Sequence, residues 1–375
     1  MLNRRTLRIK IMQSLFAFEQ CKEADYELAL DHINEFFKPD LNSMKVQDKD
    51  LLKDQRGVAT KLFQKRFKGN KSAESSDPRI AQSVDEALSL YFKLKKRDFD
   101  HFRKNIAGEV QRIQEFYLAI LNLIILFADS ALSDKKLAAG NIKANPLLVA
   151  IRNNGDLKKQ SAQTTISWGQ QTDRVRDWFR DCIKADKEFK SYLDVPQPDE
   201  ETHRSFVKYL IRKLILGNTP INAYFEEEDL RWAEDHEIVK SMLDKTLKSF
   251  DGSDITIQKL SMDWEEDKIF IERLYKVAGE LEQPYQEMIA ANTRNWEVDR
   301  LPLTDRVILH LAIAELINFP NIPVKVTINE YIELAKQYST PKSRQFINGI
   351  LDVIAKELMD SGKIKKSGRG LLDNK

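Results

Sequence analysis

Between Asn295 and Leu358 apolar residues recur every three or four positions through three successive segments. In LTDRVILHLAIAEL the residues Leu303, Val307, Leu311 and Ala314, with Ile308 and Ala312 beside them, fall on one face of a helix, because 3.6 residues per turn stacks positions three and four apart. Thr304 is placed to cap that helix. Pro320 and Pro323 interrupt the pattern, and beyond them Thr327 and Glu330 form the T-x-x-E arrangement of a capping box, so a second helix is predicted to begin near Ile328. Its run INEYIELAKQYS ends before Thr340-Pro341, a cap and first-turn pair for a third helix that buries Phe346, Ile350, Leu351, Ile354 and Leu358. The three helices are expected to share one core.

At the other end, a first helix is predicted from about Arg4 to Cys21, with Leu7, Ile11, Leu15 and Phe18 inward and Arg4 and Arg8 one turn apart on another face. A second helical segment, Ala24 to Phe37, ends before Pro39. From Pro39 to about Asp199 the text changes to charged helical pieces, a GNKSAESSDP linker at Gly69 to Pro78, a long helix pair around Val84 to Leu132 and a polar patch from Asn153 to Thr172. A 64-residue offset pairs Trp232 with Trp296, Phe206 with Phe270 and Asp235 with Asp299, which is either a duplicated helix pair or the chance agreement of two amphipathic pairs. Strand-type alternation is scarce, so the expected fold is all-α. The longest apolar run, Phe116 to Ala128, is interrupted by Asn122 and falls short of the ~20 residues of a membrane span. It is expected to be a buried helix, with no membrane partner.

Composition narrows the picture. The length of 375 residues suits two domains or one domain with a large elaboration, and 42% apolar with 31% charged residues suits a highly charged soluble helical protein. No secretory signal is evident at the start, and two cysteines, Cys21 and Cys182, are too few for a disulfide framework; both features suggest a cytoplasmic protein. Net charge is only +2, but Arg4, Arg5, Arg8 and Lys10 crowd the start, Lys363, Lys365, Lys366 and Arg369 crowd the end, and acids gather at Glu226 to Asp229 and Asp263 to Asp267. There is no phosphate-binding glycine loop, no H-E-x-x-H, no G-x-S-x-G and no ligand spacing among the five histidines, so neither an enzyme nor a metal or cofactor site is expected. Nucleic-acid binding has better support. Arg4, Arg5 and Arg8 near a helix N-terminus suit phosphates, while Phe346 and Asn348 offer an aromatic platform and an amide for reading bases of single-stranded RNA. The same spacing equally permits Phe346 as a core residue and the arginines as solvated charge.

These residues carry a resemblance. The run NFPNIPVKVTINEYIELAKQYSTPKSRQFINGILDVIA resembles the C-terminal signature of the NusB family of transcription antitermination factors, P-x-K-V-x-I-N-E-x-I-E-L-A-K followed by F-V-N-G-V-L-D, and RRTLRIKIMQSLFAFEQ resembles the family's Arg-rich first helix. The resemblance implies a NusB-like helical bundle from residues 1–38 and 200–358, a helical insertion at 39–199 and a basic flexible tail at 359–375. It further implies an RNA-binding factor acting with ribosomal protein NusE on boxA-type leader RNA within the transcribing RNA polymerase complex. On that basis Arg4, Arg5, Arg8, Phe346 and Asn348 are the expected RNA-binding residues and Asp305 the expected partner contact. Phe16 stands where the family has Tyr, Gly349 completes the F-V-N-G match, and Lys342 departs from the acidic residue common at its position. Two other classes remain. Some ribosomal RNA methyltransferases carry a NusB-like domain, but no methyl-donor motif follows here; a protein-interaction scaffold that has lost RNA affinity would keep the same fold.

Overall fold

The computed structural model describes residues 2–42, 46–70, 73–292 and 301–374, and among them there are helices and turns but no strand. Trp296 and Asp299 of the 64-residue offset, and the start of the apolar pattern at Asn295, lie outside the described residues. The chain opens with α1 (Arg4–Phe36), α2 (Lys49–Phe67) and α3 (Pro78–Ser133). Short helices follow: α4 (Gly140–Ala144), α5 (Pro146–Asn153), α6 (Gly155–Ser161), α7 (Thr172–Trp178), α8 (Lys187–Leu193), α9 (Glu200–Tyr209) and α10 (Thr219–Glu228). Longer ones complete the chain: α11 (Trp232–Lys248), α12 (Trp264–Glu280), α13 (Glu282–Asn292), α14 (Leu303–Asn318), α15 (Val324–Tyr338) and α16 (Pro341–Asp360). The fold is all-α, as expected. Where two helices were expected before Pro39, α1 is one 33-residue helix. Lys22, Glu23 and Ala24 are good helix formers, and no Gly or Pro lies between the two segments to break them.

Contacts divide the chain into two compact units, one of residues 1–7 with 107–268 and one of 8–106 with 269–375. This division cuts across the expected segments: α1, α3 and α12 each contribute to both units, and residues 39–199 do not separate as one body. In the first unit the C-terminal half of α3 is the core helix, with Phe116, Tyr117, Ile120, Leu121, Leu123 and Ile124 fully buried. By length and composition α3 could cross a membrane, yet 61% of its most apolar window is buried inside the chain. Trp168 donates its indole N–H to the Ala119 carbonyl at 2.8 Å, and Tyr117 is hydrogen-bonded to Thr246 at 2.5 Å, so the buried polar tips of these large side chains are satisfied. The short helices are set by their caps. Asn145, Asn154, Asp186 and Asp199 each accept from a backbone N–H in the first turn of α5, α6, α8 and α9.

The second unit holds the recognised C-terminal pattern. Its hub is α14, buried on every side from Val307 to Leu316 rather than along one stripe, and packed by α13, α15 and α16. Leu303 and Thr304 are only half-buried, and α14 starts after Pro302 with no side-chain cap. The capping box is also absent. α15 begins one turn earlier than expected, after Pro323, and Thr327 is buried inside the helix with its hydroxyl turned to α14. Thr340 does cap α16, accepting from the Ser343 N–H, with Pro341 in the first turn. On α16 the buried residue is Ile347, with Phe346 half-buried beside it; Ile350, Leu351, Ile354 and Leu358 are buried as expected. A satellite core joins α1, α2 and the start of α3 through Ile33, Phe37, Phe63, Val84 and Tyr91. The expected flexible tail folds back: Lys366 donates to the Leu316 and Phe319 carbonyls at 3.1 Å each, closing the last turn of α14 with a cation. Gly370 is needed there, because a Cβ would meet the Pro320 carbonyl oxygen at 2.0 Å.

Candidate nucleic-acid interface

The three arginines of the first helix do not share an environment. Arg8 lies in the second unit at 2% exposure. Its Nε and Nη2 fork onto the two carboxylate oxygens of Glu315 on α14, each at 2.8 Å. Glu315 also accepts from the Thr327 hydroxyl at 2.8 Å and the Tyr331 hydroxyl at 3.2 Å, so each oxygen holds two donors. Glu330 adds a carboxylate 3.6 Å from Arg8 Nη1, and the guanidinium lies over the rings of Phe270 and Tyr331 at 5.7 and 5.9 Å. Burial works against the charge on Arg8, but the hydrogen bonds and field of Glu315 prevail and hold its pKa above the ordinary value. Burial also pushes the Tyr331 phenol well up, reinforced by the Glu315 charge. The result is a fully satisfied ionic node joining α1, α14 and α15. With the guanidinium enclosed, Arg8 offers no phosphate contact, which corrects its expected place on an RNA-binding face.

Asp305 needs a similar correction. It is 2% exposed, sits in the first turn of α14 and accepts from the Ser339 hydroxyl at the end of α15. A carboxylate there complements the helix dipole and ties two helix ends together, leaving no surface for a partner.

The other expected residues reach solvent. Arg4, in the first unit, pairs with Glu266 at 2.5 Å and Asp267 at 3.4 Å, and its side chain keeps 36% exposure; Arg5 beside it is exposed. Phe346 and Asn348 belong to the second unit, both half-buried on α16, and Asn348 donates weakly to Asp352 one turn on, at 3.3 Å. Between them and the solvent side, Gln345, Gly349, Asp352 and Lys356 form an exposed stripe at helical spacing. Gly349 stands out. It occupies the middle of α16, yet among the described residues a Cβ there would meet nothing within 4 Å. Among the described residues no packing explains a residue that costs a helix ~1 kcal/mol against alanine. Sequence reading flagged this glycine; it missed Glu315, whose place in an apolar run, LAIAELIN, was the available signal of a buried charge requiring a partner.

An all-helical chain with a central buried helix, an N-terminal arginine helix keyed to it and a glycine-bearing C-terminal helix defines a class of helical bundle proteins. The model of the NusB family matches residues 230–356. Three proteins described as transcription antitermination protein NusB are similar. The one from Chloroherpeton thalassium is 36% identical over 141 residues, covering 37% of this chain and 63% of that protein. Those from Salinibacter ruber and Koribacter versatilis are each 41% identical over 103 residues, covering 28% of this chain and 64% and 70% of the relative. The chain thus spans just under two thirds of the length of the first two. The solved structure of T. maritima NusB is 28% identical, with 45% of this chain and 98% of that chain covered and a TM-score of 0.26. The chain belongs to the NusB family.

Proposed function

We propose that this protein is an RNA-binding transcription antitermination factor that acts with a NusE-type ribosomal protein on boxA-type leader RNA. The observation that carries the reading is Gly349: a mid-helix glycine beside Asn348, unpacked among the described residues, leaves helical backbone open to close approach by a ligand, within the family-matched segment. In this reading Arg4 and Arg5 contribute phosphate contacts, Phe346 and Asn348 contribute to reading bases, and Arg8 and Asp305 hold the fold. Residues 39–199, outside the family match, are proposed as a lineage-specific elaboration.

Filter binding with boxA-like and scrambled RNA, with and without NusE, tests this. A preference for boxA-like RNA that strengthens with NusE is expected. Because coupling is reciprocal, saturating RNA must tighten NusE binding by the same factor. Two observations favour the second reading, a scaffold without RNA affinity: Arg8 is enclosed and Arg4 is already held by two carboxylates. No RNA binding under either condition would establish that reading instead.

A further inference from the structure

We propose that the middle of α3 carries a second RNA contact, a sequence-independent cationic stripe for the backbone of a single strand. Residues 93–104 hold six cations, Lys93, Lys95, Lys96, Arg97, Arg103 and Lys104, against two carboxylates, Asp98 and Asp100. All lie in the second unit and outside the family match. At 100° per residue, Lys93, Lys96, Arg97, His101 and Lys104 fall within a little under half of the helix circumference, and all five are exposed.

Charge pairing separates this stripe from an ordinary solvated face. Both carboxylates have partners on their own helix: Asp98 takes Arg97 at 2.7 Å and Asp100 takes Arg103 at 3.2 Å. Asp25 of α1 also faces Arg97, and it is buried. Among the described residues no carboxylate lies within salt-bridge distance of Lys93, Lys96 or Lys104, whereas much of the arginine on this chain is paired. Lys93 and Lys104 are eleven residues apart, which spans roughly 16 Å at 1.5 Å per residue and is the reach of two to three nucleotides of extended strand. At one end Phe92 is 60% exposed, next to Lys96 on the helix surface and edge-on to Tyr91 at 5.3 Å. A cationic track with an exposed aromatic ring is what binding of single-stranded nucleic acid without sequence preference requires, the cations taking phosphates and the ring a base.

The inference rests on the proposed RNA binding, and the test separates the two. Binding of an oligo-uridine strand, boxA-like RNA and scrambled RNA to the full chain is measured against salt for wild type, the Lys93→Ala/Lys96→Ala/Lys104→Ala variant, Phe92→Ala, and a control in which the exposed Lys158, Lys159 and Lys248 become Ala. The stripe variant is expected to lose up to about 2 units of salt slope on every RNA, from about 0.7 per lost single-strand phosphate contact, with the boxA preference retained. Phe92→Ala is expected to weaken oligo-uridine about fivefold or more at unchanged slope. An unchanged slope in the stripe variant, an equal loss in the control, or binding of the stripe to anionic phospholipid vesicles in place of oligo-uridine overturns the inference. A wild type without boxA preference defeats the proposed function alone, since the oligo-uridine comparison still reads the stripe.

Discussion

Arg8 and Gly349 both belong to the segments that resemble the family, yet they do opposite work. At Arg8 the chain encloses a charge and completes it with Glu315, Thr327 and Tyr331. At Gly349 it removes a side chain and leaves the position empty. Enclosing two ions costs several kcal/mol each in desolvation, offset only because every oxygen of Glu315 is filled; this is a device that fixes which helices meet. Leaving a helix glycine unpacked costs stability and gains no contact among the described residues. Motif membership therefore does not separate residues that hold the fold from residues left open to a ligand, but burial and partner count do.

The contrast breaks most sharply at the node. Arg8→Ala or Glu315→Ala leaves an uncompensated buried charge and is expected to destabilise the protein by about 3–5 kcal/mol in chemical denaturation. A change below ~1 kcal/mol would mean that the node is open to water. Asp305→Ala orphans the Ser339 hydroxyl and removes a carboxylate from the first turn of α14; a loss of about 1–3 kcal/mol is expected, with NusE affinity unaffected once folding is matched.

The glycine gives the reverse. Gly349→Ala is expected to raise stability by up to ~1 kcal/mol while weakening RNA binding, a crossed result that a packing role cannot produce. If both stability and binding stay unchanged, the bare backbone is not a contact.

The smallest effect concerns pH. Burial, with the neighbouring Asp98 charge, pushes the Asp25 carboxyl above its ordinary value. The folded chain then holds that proton more tightly than the unfolded chain, so this group's contribution to stability falls as pH rises above the ordinary carboxylate range of about 4. Asp25→Asn should flatten the decline in denaturation midpoints as pH rises above about 4.

Much of the fold was legible because it follows from local rules: the inward face of α1, the Thr340-Pro341 start of α16 and the scarcity of strands. What was not legible depended on tertiary placement. Thr327 satisfies a capping pattern in sequence, but a buried Glu315 nearby is the stronger claim on its hydroxyl. Arg8 looks like its neighbours Arg4 and Arg5 until α14 closes over it, and Asp305 looks acidic and available until Ser339 reaches it. The tail reads as flexible and basic, yet Lys366 finds the open carbonyls at the end of α14. Each of these four is a polar side chain whose partner belongs to another helix or segment.

The division between fold-holding and ligand-facing arginines is tested most directly by the salt dependence of boxA-like RNA binding in a chain where the node is replaced rather than broken. Arg8→Met with Glu315→Gln removes both charges while the Gln amide oxygen still accepts from the buried Thr327 and Tyr331 hydroxyls, and the double variant is expected to remain folded. The account predicts an unchanged salt slope in that double variant and a slope reduced by about 0.7 in Arg5→Ala. A folded double variant whose slope drops by about the same 0.7, with Arg5→Ala unaltered, would contradict it.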